Sequence, residues 1–258
     1  MRITSLLENT TMRADMQIEH GLSLYIETND CKVLFDMGQT DLFYQNALKL
    51  GIDLSQTDIS IISHGHYDHG GGLSTFLKIN GKAPVLIHKD AFLPYYNGRK
   101  KYIGLDTSLK NERRIIFTQN EYRISPSLTL LTCNERKRKY PVAPSGLNVK
   151  IGNDFLHDDF MHEQYLLVCE AGKRILISGC SHKGILDITE WFSPDVLIGG
   201  FHFSKFPLDK ELEATAKRRN ACPTSFHTCH CTGNEQYKFM KSHMSRLSYL
   251  SCGDSIII

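Results

Sequence analysis

The stretch DISIISHGHYDHGGGLSTFL, residues 58–77, constrains this chain more than any other. His64, His66, Asp68 and His69 fall within six positions, directly after an apolar run and directly before three glycines. The run ISIIS reads as a buried strand. A polar cluster at its end becomes favourable if it holds a divalent ion, because imidazole and carboxylate are the ordinary ligands of zinc and its first-row neighbours. Gly65 lets the chain turn so that His64 and His66 converge on one ion, while Asp68 and His69 point the other way toward a second. Gly70 to Gly72 let the backbone pass close to the metals before a helix begins. One histidine alone would read as a loop residue, whereas H-x-H-x-D-H after a strand reads as a metal site.

The rest of the chain supplies a scaffold for such a site. It has 258 residues, enough for one domain spanning 1–258, and a formal net charge of +2 that gives no general attraction to nucleic acid or to an anionic membrane. No apolar run approaches the ~20 residues that span a bilayer, and no secretory leader is recognised, so a cytoplasmic protein is expected. The eight cysteines are then reduced and mostly small buried hydrophobes. Cys180, Cys229 and Cys231 differ in having histidines within two positions. Apolar strands alternate with segments of helical period, which points to a layered α/β protein. LSLYIET and CKVLFDM form a hairpin about Asn29–Asp30, TDLFYQNALKLG a helix closing on Gly51, and GILDITEWF, KELEATAKRR and EQYKFMKSHM later helices. Residues 95–122 are polar, basic and aromatic, and are expected to be a lid or specificity excursion. NERKRKYP reads as a solvated loop.

With these residues in view, the chain resembles the metallo-β-lactamase-fold hydrolases, in which a strand runs into H-x-H-x-D-H and then glycine and a helix. VLFDMG is similar to the family's early strand, whose aspartate, here Asp36, braces the metal loop. SGCSHKGI, IGGFH and HCTG are similar to a narrower branch, the 7,8-dihydropterin-6-methyl-4-(β-D-ribofuranosyl)aminobenzene 5'-phosphate synthase-like proteins. The resemblance implies a four-layered αβ/βα sandwich, two mixed sheets face to face, with the metals at one edge. It implies that His230, in HTCHCTG, completes the second site. For the first site it leaves two candidates, His182 in GCSHKGI as first choice and His162 as second. Cys180 stands where the family's bridging aspartate would end the strand, and is expected beside the site. His202 could face the metals to bind or protonate substrate. His227, Cys229 and Cys231 lack the two spaced pairs of a separate structural zinc site. His20, His88, His157 and His243 are assigned no chemistry, and residues 157–159, HDD, read as an exposed acidic turn.

The chemistry implied is hydrolysis. Zinc, as two ions with manganese or iron as alternatives, lowers the pKa of bound water to about 7, and the resulting hydroxide attacks a polarised carbonyl or phosphoryl carbon or phosphorus. Asp68 would orient that water. The expected substrate is a small anionic metabolite carrying a phosphodiester, thioester or lactone. The alternatives are a pterin-pathway synthase or transferase, and a metal-containing sensor without turnover.

Overall fold

The computed structural model describes residues 1–142 and 145–258. One seven-stranded sheet runs, in spatial order, Ser255–Ile257, Arg2–Leu7, Ser23–Glu27, Lys32–Phe35, Ile59–Ile61, Val85–His88 and Ile115–Thr118. A second runs Leu247–Tyr249, Ser225–Thr228, Val196–Gly199, Lys173–Ile177, Tyr165–Glu170, Leu128–Leu131 and Glu121–Arg123. Both are mixed. In the first, pairing changes from antiparallel to parallel where Lys32–Phe35 meets Ile59–Ile61. In the second it changes where Lys173–Ile177 meets Val196–Gly199.

Side-chain alternation explains the layering. Leu24, Ile26, Val33 and Phe35 face Leu166, Val168, Ile175 and Ile177 of the other sheet in a shared central core. Their neighbours Tyr25 and Leu34 point outward, onto Phe43 and Ala47 of the helix Leu42–Lys49 and Phe76 of the helix Leu73–Ile79. On the far side Leu176 and Leu197 meet Ile188, Leu212 and Met240 from the helices Ile185–Phe192, Lys210–Asn220 and Asn234–Lys241. Strands buried on both faces need unbroken apolar runs, and VLF and ILI are such runs. The αβ/βα sandwich follows.

Two features differ from the sequence reading. Residues 95–122 are not one excursion: Ile115–Thr118 and Glu121–Arg123 are edge strands of the two large sheets. Only the earlier part departs, and it is ordered. Tyr95–Asn97 and Lys101–Tyr102 pair with Leu147–Ile151 and Asp154–His157 in a four-stranded sheet, which has its own core of Tyr95, Ile103, Leu147 and Phe160. The glycines of the metal loop also serve another purpose than approach to metals. A Cβ on Gly65 would lie 2.2 Å from the Ala91 carbonyl oxygen, and one on Gly72 2.3 Å from that of Met37. They admit backbone against backbone, clamping the loop to the sheet edge.

Buried amides hold other turns. Asn80, fully buried, donates from Nδ2 to the carbonyls of Leu54 and Thr57 and accepts at Oδ1 from the N–H groups of Lys82 and Ala83. Asn80→Leu orphans these groups, and we expect a loss on the order of 3 kcal/mol, seen as a Tm lowered by about 6–12 °C with metal content unchanged.

Candidate metal centre

The chemistry-bearing side chains collect where parallel strands end, the edge at which open α/β sheets bind ligands. His64 follows Ile59–Ile61, His182 follows Lys173–Ile177, His202 follows Val196–Gly199 and His230 follows Ser225–Thr228. The chain turns sharply at these ends. Asp36, Ser181, His202 and His230 have φ of 61°, 59°, 56° and 47°, a conformation that costs about 1–3 kcal/mol per non-glycine residue. It persists because surrounding contacts hold it.

Those contacts also decide which imidazole nitrogens carry hydrogen. The Asp36 carboxylate accepts at Oδ1 from the Ser63 N–H (2.7 Å) and at Oδ2 from the Ser63 hydroxyl (2.7 Å) and His69 Nδ1 (2.6 Å). His69 Nδ1 therefore bears the proton and its Nε2 faces the pocket. Since the Ser63 hydroxyl hydrogen is committed to Asp36, its oxygen accepts from His64 Nδ1 at 2.8 Å, and His64 Nε2 is left bare. His230 Nδ1 lies 2.8 Å from the Asn9 Oδ1 acceptor, leaving its Nε2 bare, buried and without a hydrogen-bond partner. Burial pushes His230 down to about 4, so its lone pair is available at neutral pH.

The inward-facing ring nitrogens converge. His64 Nε2 and His182 Nε2 are 3.3 Å apart, with the partnerless Nε2 of His66 joining them. On the other side Asp68 Oδ2 lies 3.5 Å from His230 Nε2 and 3.9 Å from His69 Nε2, and Cys180 Sγ is 3.1 Å from His69 Nε2. Electron-rich atoms at these distances repel unless a proton or metal ion lies among them. Burial pushes the Asp68 carboxyl up, but the neighbouring imidazoles, His69 foremost, hold it well below the usual carboxylate range. The donor set, nitrogen with one carboxylate and a thiol, suits zinc. Burial and Cys231 push the Cys180 thiol well up, so it keeps its hydrogen and donates it to the bare His69 Nε2.

His162 lies to one side of this convergence, in a separate buried group with His66 and Asp158. Its Nδ1 accepts the Gly65 N–H at 2.8 Å and its Nε2 donates to Asp158 Oδ2 at 3.1 Å, so both ring nitrogens are committed. It props the turn between His64 and His66. Asp158 corrects the reading of residues 157–159 as an exposed turn: it is buried, and its other oxygen accepts the Phe160 N–H. His182 stacks on Phe160 with ring centroids 4.2 Å apart, and His202 lies 4.3 Å from His182. Three further residues carry no signal in the sequence. Fully buried Glu163 accepts from the His182 and Lys183 N–H groups and the Tyr165 hydroxyl. Fully buried Glu8 accepts from the His230 N–H and the Tyr249 hydroxyl. His20, half-exposed, reaches Asp68 Oδ2 at 3.2 Å. His88, His227 and His243 stay outside the cluster, and Cys229 belongs to the central core.

The chain belongs to the metallo-beta-lactamase superfamily, whose pattern matches residues 18–217. A solved structure of Tm1679, described as a metal-dependent hydrolase of the beta-lactamase superfamily, aligns with 100% of this chain and 98% of its own at a TM-score of 0.84 and 32% identity. An uncharacterised protein of Methanocaldococcus jannaschii is 32% identical over 211 residues, 78% of each chain. The 7,8-dihydropterin-6-methyl-4-(beta-D-ribofuranosyl)-aminobenzene-5'-phosphate synthase of the same organism is 26% identical over 264 residues, 92% of this chain and 90% of its own.

Elemental analysis discriminates the two middle histidines. His182→Ala should lower the metal content per chain, whereas His162→Ala should keep the parent's content with affinity lowered by about tenfold. Equal losses in the two variants would contradict this assignment.

Proposed function

We propose that the chain is a metal-dependent hydrolase of a small anionic metabolite with a phosphodiester, thioester or lactone bond, and that it holds two zinc ions. His64, His66 and His182 hold one ion; Asp68, His69 and His230 hold the other, with Cys180 beside it. The observation that carries this reading is the set of buried imidazole nitrogens whose protons are fixed on their far sides. Membership of the superfamily supports it. The free thiols beside the site suit a reducing, cytoplasmic compartment.

A divalent ion bound there supplies Lewis acidity toward a carbonyl or phosphoryl oxygen and acidifies water. The chain supplies the rest. A cavity of about 170 Å³ over the cluster is lined by Lys101, Lys205, Tyr67 and His202, so its rim attracts an anion while Tyr67, Ile103 and Leu147 limit water. Burial lowers His202 to about 4, making it a neutral hydrogen-bonding partner for substrate at pH 7. Asp68 holds a proton acceptor at the floor. A second groove of about 440 Å³, lined by Arg138, Tyr140, His157 and Phe160, meets this cavity at His182, and offers room for an aromatic or phosphorylated extension.

A synthase reading is favoured by one observation, the relative named as a dihydropterin synthase, which matches 92% of the chain. The two separate on one experiment. Protein purified without added metal should carry about two metal equivalents. On a panel of phosphodiesters, thioesters and lactones, turnover should be abolished by chelator and restored by zinc. Absence of metal-dependent turnover on the whole panel, with a condensed product formed from a pterin and a phosphoribosyl cosubstrate, would replace the hydrolase by the synthase.

A further inference from the structure

Asn9, at the end of the first strand, touches two histidines at once. Its Oδ1 accepts the Gly21 N–H at 3.2 Å and the His230 Nδ1–H at 2.8 Å. The backbone N–H of Gly21 can only donate, so it settles which end of the amide is oxygen. The Nδ2 end must then be the atom 3.2 Å from His20 Nδ1. An amide N–H only donates, so His20 Nδ1 is an acceptor, and in the neutral ring the hydrogen sits on Nε2. That Nε2 lies 3.2 Å from Asp68 Oδ2.

We propose that Asn9 is a positioning residue that imposes opposite tautomers on two histidines: His230 presents a bare Nε2 to the centre, and His20 presents an Nε2–H to Asp68. The inference rests on the two-ion reading above and deepens it at the second ion. His20 Nε2 approaches Asp68 Oδ2 to 3.2 Å, so its Nε2–H turns a positive edge toward that carboxylate. The geometry that brings it there is built in. Gly21 has φ 157°, and a Cβ at that position would lie 2.6 Å from the Asp68 carbonyl oxygen, which also accepts the Leu22 N–H at 3.2 Å. The loop carrying His20 is thus pinned to the helical turn carrying Asp68. Glu8, next to Asn9, takes the His230 backbone N–H. Consecutive side chains of one strand end therefore set both the position and the protonation of His230.

Long-range 1H–15N correlation spectra of the full-length protein, chelator-treated and zinc-loaded, test this directly. His230 should appear as the Nδ1–H tautomer in both states and His20 as the Nε2–H tautomer. Two variants separate the halves. Asn9→Asp keeps acceptors for His230 and Gly21 but has no N–H for His20. It should leave the second zinc within about threefold of the parent affinity while His20 shifts toward the Nδ1–H tautomer, because a carboxylate facing Nδ1 can only accept. Asn9→Leu removes both bonds and should weaken the second zinc about 10- to 100-fold, with the first ion retained. The proposal is overturned if His230 carries its proton on Nε2, or if Asn9→Asp and Asn9→Leu weaken the second zinc alike. If the chelator-treated protein shows both tautomers as assigned but takes up one zinc ion only, the two-ion reading fails and the role of Asn9 in setting tautomers stands.

Discussion

Three of the loops that bring histidines to the centre are each tied down by a buried carboxylate that accepts hydrogen from the loop. Asp36 takes the Ser63 N–H and His69 Nδ1, Glu163 takes the His182 and Lys183 N–H groups, and Glu8 takes the His230 N–H. All three are fully buried. A carboxylate in that setting is tolerable only if its lone pairs are filled, and here N–H and O–H donors from otherwise irregular chain fill them. The bond works in both directions: it satisfies the acid, and it holds a strand end in the left-handed conformation that aims an imidazole inward. Remove the acid and both the loop's donors and its backbone strain are left uncompensated.

The same arrangement governs where protons sit. Asp36 and Ser63 place them on the far nitrogens of His69 and His64, and Asn9 does so for His230. Such partners orient a ligating ring and raise its basicity. The centre is therefore prepared one layer out, by groups that touch no metal themselves. His162 shows the complementary case. Its two nitrogens are filled by Gly65 and Asp158, so a histidine within 6.0 Å of His64, ring to ring, is spent on structure.

This division explains how far the sequence was legible. H-x-H-x-D-H and the apolar runs on either side of it carry fixed spacing, and from them the strand, the turn and a layered α/β protein could be read, while the sandwich and the place of Asp36 came through resemblance. HCTG and GCSHKGI, through resemblance, pointed to His230 and His182, which the structure does place at the cluster. The supporting layer has no spacing to read. Glu8, Asn9, His20 and Glu163 are single polar residues whose partners lie 222, 221, 48 and 19 positions away at His230, His230, Asp68 and His182, and only the folded sheets bring them together. The acidic pair at 158–159 misled for the same reason: composition marks it as solvent-facing, while tertiary contact buries Asp158 against His66 and His162. The 95–122 segment misled because edge strands are short and half polar, so two of them read as loop.

Charge balance connects the two layers. The proposed ligand set contains one carboxylate, Asp68, and has a cysteine where a bridging aspartate would stand, so the ligands themselves offer little negative charge to two divalent ions. The supporting carboxylates Glu8, Asp36, Asp158 and Glu163 are all buried around them. Unit charges roughly 6 Å apart at an effective dielectric near 20 attract by about 3 kcal/mol, so several acids one residue removed can together offset the loss of one direct anionic ligand. They do so without occupying a coordination position. In a site built in this way the field of the buried acids would add to the hold of the imidazoles on a cation, while Lys101 and Lys205 line the cavity above it.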